Sequence, residues 1–441
     1  MRPKQAAGSQ ERAALQGTFV NMNKSPFYTR RTTCRLCDSA NVECVFQLEP
    51  SALAEAYLPP ELAHEADERF PLDLFLCHNC GHVQIFDVID PVKLFSNYRY
   101  TTASSPGLDA HFRHYADEVV AKLAPPAGSI ALDVGSNDGT LLRHFARHGL
   151  TPLGVDPAQD IARQATAAGI PTLARFMDAD TAEIILNQHG PVHLCTANNV
   201  FAHNDNLGKM ADAISTVLAP DGAFVFEVSN LLDTVEGLVF DFIYHEHLCY
   251  HSAKPMDAFL RRHGMQLFDI ERVPSKGGSM RGYAQKLGGP RPISPRVAEY
   301  IAREEAAGLY RTATYEAYIN RVNRLRDQTT EYLRRCREQK LSIAGYGASA
   351  TVTTLLHHFR IGELIDFLVD DNPIRHGTLS PGHRIPVYAP EAIYEKKPDV
   401  VVILAWRFAD RIVPRHSEYL AQGGRFVVPM PEFREYTAKN S

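Results

Sequence analysis

Four of the eight cysteines in this sequence form two Cys-x-x-Cys pairs, Cys34 with Cys37 and Cys77 with Cys80. In each pair the two sulfurs converge, and two such turns complete a closed tetrahedral site of the kind that binds structural zinc. A redox dithiol is the alternative, but redox pairs usually occur once and beside a βαβ unit. We therefore predict one zinc ion, held by these four sulfurs, that stabilises a domain and leaves no coordination position for a substrate.

A glycine-containing loop follows an apolar segment in the sequence Asp133-Val-Gly135-Ser-Asn137. The pattern indicates a strand that ends at an acid and a turn that opens a helix, and it differs from the Gly-x-Gly-x-x-Gly cradle for phosphates. An acid at the end of the next predicted strand, Asp156 before Pro157, can accept both hydroxyls of a ribose. These residues favour a site for S-adenosylmethionine, which has no phosphate. An NAD site and a glycine turn without a ligand are the alternatives.

Polar residues also follow a later predicted strand, where Asn198, Asn199 and His203 stand close together. Ligands of doubly wound folds bind at the carboxyl ends of the strands. We expect Asn198 to contact the cofactor and Asn199 the substrate; as an alternative, both are simply turn residues.

A cluster of titratable side chains occurs at Tyr244-His245-Glu246-His247. The spacing does not favour zinc, because on a helix His245 and His247 would point about 200° apart and the motif is not His-Glu-x-x-His. General acid and base chemistry fits better, since Tyr244 and His247 would share one helical face and imidazole titrates near neutral pH. A surface helix rich in histidine is the alternative.

The composition is that of a folded protein with several domains. The 441 residues exceed the roughly 250–300 at which single cores stop growing, so two or three domains are expected. A net charge of −5 gives no broad basic surface for nucleic acid or anionic lipid. The longest apolar run, residues 400–406, is far shorter than the ~20 residues that span a bilayer. We expect a cytoplasmic protein that binds a small molecule rather than nucleic acid or a membrane.

The pattern of apolar and polar residues divides the chain into four segments. We predict a mobile tail over residues 1–30, a zinc-binding domain over 31–100, a central S-adenosylmethionine-binding domain over 101–295 and a substrate-binding α/β domain over 296–441. The predicted fold class is α/β, with a doubly wound, Rossmann-like central domain and a Rossmann-like C-terminal domain.

Strands and helices must alternate in the central domain to position these side chains. The predicted strands cover 129–134, 152–155, 192–196 and 223–228, and the predicted helices cover 140–149, 161–168, 181–188 and 207–218. A second alternation begins at Leu341 and leads into a loop at Gly345-Tyr346-Gly347. We also expect a helix at 51–57, inside the zinc-binding domain, and one helical stretch over 296–339 between the two α/β domains.

The order of these motifs is more specific than any one of them. It resembles the family of S-adenosylmethionine-dependent C-methyltransferases that act on nucleotide-linked keto-deoxysugars, such as the sugar C-3 methyltransferases of antibiotic and cell-surface sugar pathways. The resemblance covers roughly residues 34 to 430. Besides the cysteine pairs, the motifs that carry it are Tyr98-Arg-Tyr100, Asp133-Val-Gly-Ser-Asn-Asp-Gly139, Asn198-Asn-Val-Phe-Ala-His203, Tyr244-His-Glu-His247, Lys276-Gly-Gly-Ser-Met-Arg281, Gly345-Tyr-Gly-Ala348 and Asp370-Asp-Asn-Pro373.

The resemblance implies an N-terminal zinc-binding domain, a central methyltransferase domain and a C-terminal Rossmann-type domain that helps to hold the sugar nucleotide. It implies substrate contacts for Tyr98, Tyr100, Asn199, Arg281 and Tyr346. Arg281 is expected on a Gly-Gly-Ser loop near an anionic substrate, and a surface arginine without a ligand is the alternative.

Two places depart from the family's pattern. Ser229 and Asn230 stand where the family usually has proline and an aromatic residue, which changes part of the expected substrate pocket. Thr351 stands where many members have lysine, so a phosphate contact at this loop is weaker or is supplied by other residues.

The implied chemistry is methylation of a carbon, which needs a base, stabilisation of an enolate and an aligned methyl donor. We predict that His247 removes the proton beside a 4-keto group, at C-3 of the sugar. Tyr244 and His203 would orient His247 or hydrogen-bond the oxyanion, and Glu246 would orient one imidazole. The methyl group would pass directly to the carbon, without a covalent enzyme intermediate.

Two other classes of function stay open at this point. One is a methyltransferase of nucleic acid or protein that uses the zinc-binding domain as a reader. The other is a non-catalytic, zinc-containing binding protein. The sequence leaves the sugar, its nucleotide and the oligomeric state open.

Overall fold

The computed structural model describes residues 27–65, 68–90, 94 and 107–439. Tyr98 and Tyr100, two of the predicted substrate contacts, lie outside the described residues, as does most of the predicted tail. The end of that tail, Tyr28–Arg30, forms strand β1. Among the described helices, none is both long enough and apolar enough to cross a membrane.

The N-terminal module is built from short antiparallel strands. They are β1, β2 (Val42–Gln47), β3 (Asp73–Cys77), β4 (Val83–Ile85) and β5 (Asp87–Ile89). In the described residues β2, β3 and β4 are consecutive strands of one sheet, and β1 pairs with β5. Leu74 and Leu76 of β3 and Val83 and Ile85 of β4 are buried, which is the environment in which Leu, Val and Ile favour strands.

The helix predicted at residues 51–57 is wrong, because this segment contains a single turn at residues 54–55 and no helix. Ser51 forms a bridge to Phe70, and Leu58 forms a bridge to Leu379 of the C-terminal domain. A stretch of this length is too short to stabilise a helix by itself, so its contacts with the rest of the protein decide its conformation.

The central domain contains a twisted sheet with an antiparallel edge. The strands of this domain are β6 (Ile130–Val134), β7 (Thr151–Val155), β8 (Thr172–Leu173), β9 (Val192–Asn198), β10 (Leu218–Ser229), β11 (Cys249–Tyr250), β12 (Met265–Val273) and β13 (Ser279–Lys286). All of them except β11 belong to this sheet. The described strand order is β12-β13-β10-β9-β6-β7-β8, and β13 runs antiparallel to both of its neighbours. The order reverses between β6 and β9, so their carboxyl ends border the crevice where ligands bind in open α/β sheets.

Helices of the central domain follow the predicted alternation with strands. They are α1 (Leu108–Leu123), α2 (Thr140–Arg147), α3 (Gln159–Ala167), α4 (Ala179–His189), α5 (Leu207–Val217), α6 (Leu231–Glu236) and α7 (Ala253–Arg262). Each helix predicted for this domain is present, with ends that differ by at most two residues. The α/β fold class predicted for the chain is confirmed.

The helical stretch predicted over 296–339 is two helices, α8 (Pro295–Ala306) and α9 (Thr312–Glu338). Gly308 interrupts them with a φ of +71°, a left-handed conformation that glycine adopts at little cost. The periodicity on both sides is helical, so sequence patterning alone did not reveal the break.

The C-terminal domain repeats the α/β architecture. Its strands are β14 (Ile343–Tyr346), β15 (Phe367–Val369), β16 (Val387–Tyr388), β17 (Val400–Ile403), β18 (Arg425–Val428) and β19 (Arg434–Tyr436). Its helices are α10 (Ala350–Phe359), α11 (Ala392–Lys396), α12 (Ala409–Arg415) and α13 (Ser417–Ala421). The described strand order is β16-β15-β14-β17-β18-β19, with only β19 antiparallel to its neighbour. This agrees with the Rossmann-like prediction.

The N-terminal module contacts both α/β domains. Strand β11 of the central domain pairs with β4, so it adds a fourth strand to the sheet of β2, β3 and β4. On the other side, Thr353 of α10 donates a hydrogen bond from Oγ1 to the carbonyl oxygen of Ala54 at 3.1 Å. The three parts therefore share interfaces around the N-terminal module.

Three buried histidines lie near these interfaces. His245 Nε2 donates to the carbonyl oxygen of Pro71 at 3.0 Å, and His358 Nδ1 accepts from the backbone nitrogen of Glu49 at 3.4 Å. Loss of water on burial lowers the pKa of His245 to about 4 and those of His357 and His358 to about 3. All three imidazoles are therefore neutral in the folded protein at physiological pH.

Mild acid should weaken the fold through these histidines. Their pKa in the unfolded chain is about 6.5, so below that pH the unfolded state binds protons that the folded state does not. The contribution of these histidines to the free energy of unfolding is therefore complete above pH ~6.5. Below that pH the free energy of unfolding decreases, by up to about 1.4 kcal/mol per histidine and pH unit. Thermal unfolding followed as the pH is lowered should show this fall.

His358→Phe tests this origin of acid sensitivity. The His358 ring lies 5.4 Å from the ring of Phe46 and 5.4 Å from that of Phe240, so an aromatic replacement suits the site. On acidification, the melting temperature of the variant should fall less than that of the wild type. Equal losses would show that His358 takes no part.

Candidate active site

The four predicted zinc ligands converge next to the N-terminal sheet. The sulfur atoms of Cys34, Cys37, Cys77 and Cys80 all lie within 4.8 Å of one another. Cys34 and Cys80 are separated by 3.7 Å, and Cys37 and Cys77 by 3.5 Å. A tetrahedral ion with Zn–S bonds of about 2.3 Å places its sulfur ligands about 3.8 Å apart. The donor set and its spacing therefore fit a structural zinc ion.

The second cysteine pair continues into a sharp turn at Gly81. Gly81 has a φ of +84°, and a Cβ there would lie 2.5 Å from Cδ1 of Tyr310. Only glycine accepts both the left-handed backbone and this close approach. The turn therefore packs directly against the connection between α8 and α9.

The predicted cofactor loop lies at the carboxyl end of β6. Gly135 and Asn137 have φ values of +71° and +50°, and these residues turn the chain toward α2. The carboxylate of Asp133 accepts a hydrogen bond from Thr196 Oγ1 at 2.6 Å. Burial raises the pKa of Asp133 to about 7, and the neighbouring charge of Asp156 adds to the shift.

Asp156 directly follows β7, and Pro157 after it is exposed. Its Oδ2 accepts from the backbone nitrogen of Asn137 at 2.9 Å, and its Oδ1 accepts from that of Ala158 at 2.9 Å. These two bonds fix the plane of the carboxylate at the edge of the loop. Each oxygen keeps further acceptor capacity, which suits a pair of ribose hydroxyls.

Two observations show that the crevice fits a polar cofactor. Both side-chain amide atoms of Asn198, the last residue of β9, are buried without a hydrogen-bond partner in the described part of the chain. Buried amides are normally satisfied, so this arrangement indicates a polar ligand. A Cβ on Gly135 would lie 2.4 Å from Cγ2 of Val200, so the loop approaches this residue as only glycine can. Asn199, with a φ of +57°, turns the chain beyond β9.

Replacing Asp156 by alanine should weaken binding of S-adenosylhomocysteine by about 10- to 150-fold, the effect of losing a charge-assisted hydrogen bond. Titration calorimetry measures this directly. Asp160→Ala is a matched control, because Asp160 is an exposed carboxylate in the same helical entry. Unchanged affinity in the Asp156 variant would show that the ribose lies elsewhere.

Residues 244–247 form a turn rather than the predicted helix. They follow the 3₁₀ helix Phe240–Phe242 and precede β11, and the backbone nitrogen of His247 donates to the carbonyl oxygen of Tyr244 at 2.9 Å. The short connection between these two elements leaves no room for a helix. The turn still brings Tyr244 and His247 together, with ring centroids 4.1 Å apart.

The hydrogen bonds of His247 define its tautomer. Nδ1 lies 3.0 Å from the carbonyl oxygen of Phe242, which can only accept, so Nδ1 carries the proton. In the neutral ring Nε2 then carries the lone pair, and it accepts from the Tyr244 hydroxyl at 2.9 Å. The arrangement gives a nitrogen base in direct contact with a phenol.

His203 connects this pair to the cofactor crevice. Its ring lies edge-on to that of His247, with centroids 4.9 Å apart. His203 belongs to the same segment as Asn198, and its backbone nitrogen donates to the carbonyl oxygen of Val200 at 3.0 Å. The three predicted catalytic rings therefore lie together, and His203 belongs to the segment that follows the strand end with the unsatisfied amide.

Glu246 is 8% exposed, and burial raises the pKa of its carboxyl group to about 8. Its predicted role was to orient an imidazole. The hydrogen bonds described for the neighbouring imidazoles include those to the carbonyl oxygens of Phe242 and Pro71 and to Tyr244, and the role of Glu246 stays a prediction. A carboxyl group of this kind is suited to exchange a proton near neutral pH.

Arg281 lies inside β13, so its expected position on a Gly-Gly-Ser loop is wrong. Its guanidinium is 1% exposed and donates to Glu227 through Nε at 3.1 Å and Nη2 at 3.0 Å. Nη1 donates to Glu118 at 2.8 Å. The alternative of a surface arginine is also wrong, since the side chain is part of a buried ion-pair network.

Tyr346 is the last residue of β14 and is 2% exposed. Its hydroxyl donates to Oδ1 of Asp371 at 3.1 Å and lies 3.3 Å from Nε2 of His416. It therefore stands at the carboxyl end of the C-terminal sheet, within a polar cluster of that domain.

The sequence did not reveal the hydrogen bonds that hold the catalytic turn in place. Oδ2 of Asp241 accepts from the indole nitrogen of Trp406 at 3.0 Å, and both of its oxygens accept from Arg407. Thr354 donates from Oγ1 to the carbonyl oxygen of Ile243 at 2.8 Å. The partners come from different domains, so no local pattern reveals them.

Comparisons with known proteins agree with this architecture. The model of a zinc binding domain matches residues 34–95, that of a methyltransferase domain matches 108–269 and that of a C-methyltransferase C-terminal domain matches 274–431. The three matches follow the same order as the three parts of the structure.

C-methyltransferase NovU of Streptomyces niveus is 32% identical over 409 residues, which cover 92% of this chain and 97% of that protein. An uncharacterized methyltransferase of Mycobacterium leprae (strain TN) is 26% identical over 39% of this chain and 65% of its own length. Among solved structures, magnesium protoporphyrin IX methyltransferase of Synechocystis PCC 6803 covers 44% of this chain and 91% of its own, with 13% identity and a TM-score of 0.33. From its near full-length similarity to NovU and its three domain matches, the chain belongs to the family of S-adenosylmethionine-dependent C-methyltransferases with an N-terminal zinc-binding domain.

Proposed function

We propose that this C-methyltransferase acts on a nucleotide-linked 4-keto-deoxysugar and methylates it at C-3, the carbon beside the ketone. The observation that carries the proposal is the Tyr244–His247 pair, in which a fixed tautomer presents Nε2 as a base. A C–H bond beside a carbonyl is acidic enough for such a base, whereas an isolated C–H bond is not.

Tyr244, His247 and His203 each have a place in this chemistry. His247 takes the proton from C-3, either directly or through the Tyr244 hydroxyl that it contacts. The phenol of Tyr244 and the ring of His203, which both lie beside His247, would stabilise the enolate oxygen by hydrogen bonding. When bound, S-adenosylmethionine supplies the electrophilic methyl group.

The C-terminal domain offers a site for the nucleoside of this substrate. Oδ2 of Asp370, after β15, accepts from the backbone nitrogen of Ala348 at 2.6 Å, and Oδ1 accepts from that of Asn372 at 2.8 Å. Asp156 has the same pair of bonds to its own loop in the central domain. We infer that the two carboxylates have related roles: Asp156 binds the ribose of the cofactor, and Asp370 binds the pentose of the substrate.

A panel of nucleotide-linked sugars tests the proposal. Each sugar is incubated with the enzyme and S-adenosylmethionine that carries a deuterated methyl group, and mass spectrometry detects the transfer. We expect methylation of 4-keto-deoxysugars and none of the same sugars reduced at C-4, because reduction removes the acidity of C-3. Carbon NMR then identifies the methylated position.

Two results would redirect the assignment. Methylation of the reduced sugars would exclude the enolate route. Transfer to a protein or a nucleic acid, with none to any sugar of the panel, would replace the sugar nucleotide as the acceptor.

A further inference from the structure

Arg375 is a largely buried cation with one unsatisfied donor group. It ends the 3₁₀ helix Pro373–Arg375 after β15, and its side chain is 15% exposed. Nη2 donates to both carboxylate oxygens of Glu55, each at 3.0 Å. The Tyr57 ring lies 4.8 Å from the guanidinium carbon. Nη1 is buried and has no hydrogen-bond partner in the described part of the chain.

The contacts of Arg375 place it between the two halves of the proposed substrate site. The Tyr57 hydroxyl donates to the carbonyl oxygen of Ala348, in the loop beside Asp370. On the other side, burial and the charge of Glu55 raise the pKa of the Glu246 carboxyl group in the catalytic turn, and the charge of Arg375 lowers it. The diphosphate of a sugar nucleotide joins its nucleoside to its sugar, so a substrate with its sugar at the turn and its nucleoside at Asp370 would have its diphosphate between these two places.

The N-terminal module immobilises the guanidinium without satisfying it. Glu55 binds Nη2 and Tyr57 covers one face, so the side chain loses its freedom while Nη1 stays without a partner. Buried guanidinium groups normally use their donors, and phosphate oxygens are among their preferred acceptors.

We propose that Nη1 of Arg375 binds the diphosphate of the sugar nucleotide, and that Glu55 and Tyr57 hold the guanidinium in position for it. The inference rests on the proposed function, because it takes the substrate to be a sugar nucleotide. It gives the N-terminal module a part in substrate recognition that is separate from its zinc site.

Binding of thymidine diphosphate and uridine diphosphate to the full-length protein tests the inference. In titration calorimetry, Arg375→Met should weaken binding of the better ligand by about 10- to 150-fold, as expected for a lost charge-assisted hydrogen bond. The loss should be smaller at high salt, because salt screens the interaction in the wild type. Affinity for S-adenosylhomocysteine should not change, which shows that the variant is folded.

Two control variants separate anion binding from interface stability. Arg360→Met removes the cation of another ion pair between the same domains, formed with Glu49, and should leave diphosphate binding unchanged. Glu55→Gln breaks the ion pair of Arg375 but keeps the guanidinium, so it should cost less affinity than Arg375→Met. Equal losses in Glu55→Gln and Arg375→Met would show that the arginine acts only through the interface.

The inference and the proposed function can fail separately. If the wild type methylates a sugar nucleotide and Arg375→Met keeps its KM, only the role of Arg375 is overturned. If the wild type binds neither diphosphate and methylates no sugar nucleotide, both are overturned.

Discussion

Replacing His247 by alanine should lower the turnover number for methyl transfer by about 10²–10⁴, the usual contribution of a positioned general base. The lone pair on Nε2, fixed by the bond from Nδ1 to the carbonyl oxygen of Phe242, is lost in this variant. Affinities for S-adenosylhomocysteine and for the acceptor should stay close to those of the wild type, because the lost interaction acts on the reacting atom. Single-turnover kinetics should place the loss in the chemical step.

Proton exchange gives an independent measurement of the same role. In deuterated water with S-adenosylhomocysteine, the wild type should exchange the proton beside the ketone, and His247→Ala should not. His189→Ala serves as a control, since that side chain is exposed at the end of α4, far along the chain from the turn. Exchange at the wild-type rate in His247→Ala would exclude His247 as the base, and Tyr244 or His203 would be examined next.

Replacing Cys37 by serine should lower the zinc content and destabilise the chain. Structural zinc sites contribute about 10–16 kcal/mol of apparent binding free energy in small domains, and that energy is folding energy. We expect about one zinc ion per wild-type chain in elemental analysis, because two cysteine pairs form one closed site. The variant should melt at a lower temperature and be produced in smaller amounts.

Cys44→Ser is the matched control, since Cys44 lies in β2 of the same sheet but outside the four-sulfur cluster. It should keep the zinc ion. In Cys37→Ser, methyl transfer should fall in proportion to the folded protein rather than selectively. A folded, reduced wild-type sample without zinc would contradict the assignment of the metal.

Local patterns were enough to predict much of the central domain. The acid and glycine at Asp133 and Gly135 predicted a strand end and a turn, and Gly135 does have a positive φ beside a close neighbour. The cysteine spacing predicted that four sulfurs converge, which depends mainly on two local turns. These features are determined by residues that are near in sequence.

Features that depend on distant partners could not be predicted in this way. Arg281 was expected on a loop, but it lies inside β13, where it donates to Glu227 of another strand and to Glu118 of a helix. Tyr244 and His247 were expected to share one face of a helix. The conformation of the catalytic turn depends instead on the elements at its two ends, and one of these, β11, pairs with the N-terminal module.

That strand has a consequence for how the enzyme can be divided or re-engineered. β11 begins two residues after His247, and its partner β4 begins three residues after Cys80. Inserting or deleting one residue between His247 and β11 would shift the pairing by one position and turn Cys249 and Tyr250 to the opposite faces. Separating the central domain from the N-terminal module would leave β11 without the backbone hydrogen bonds that pair it with β4. The metal-binding and catalytic parts are therefore one unit for protein engineering, and exchange between relatives should keep them together.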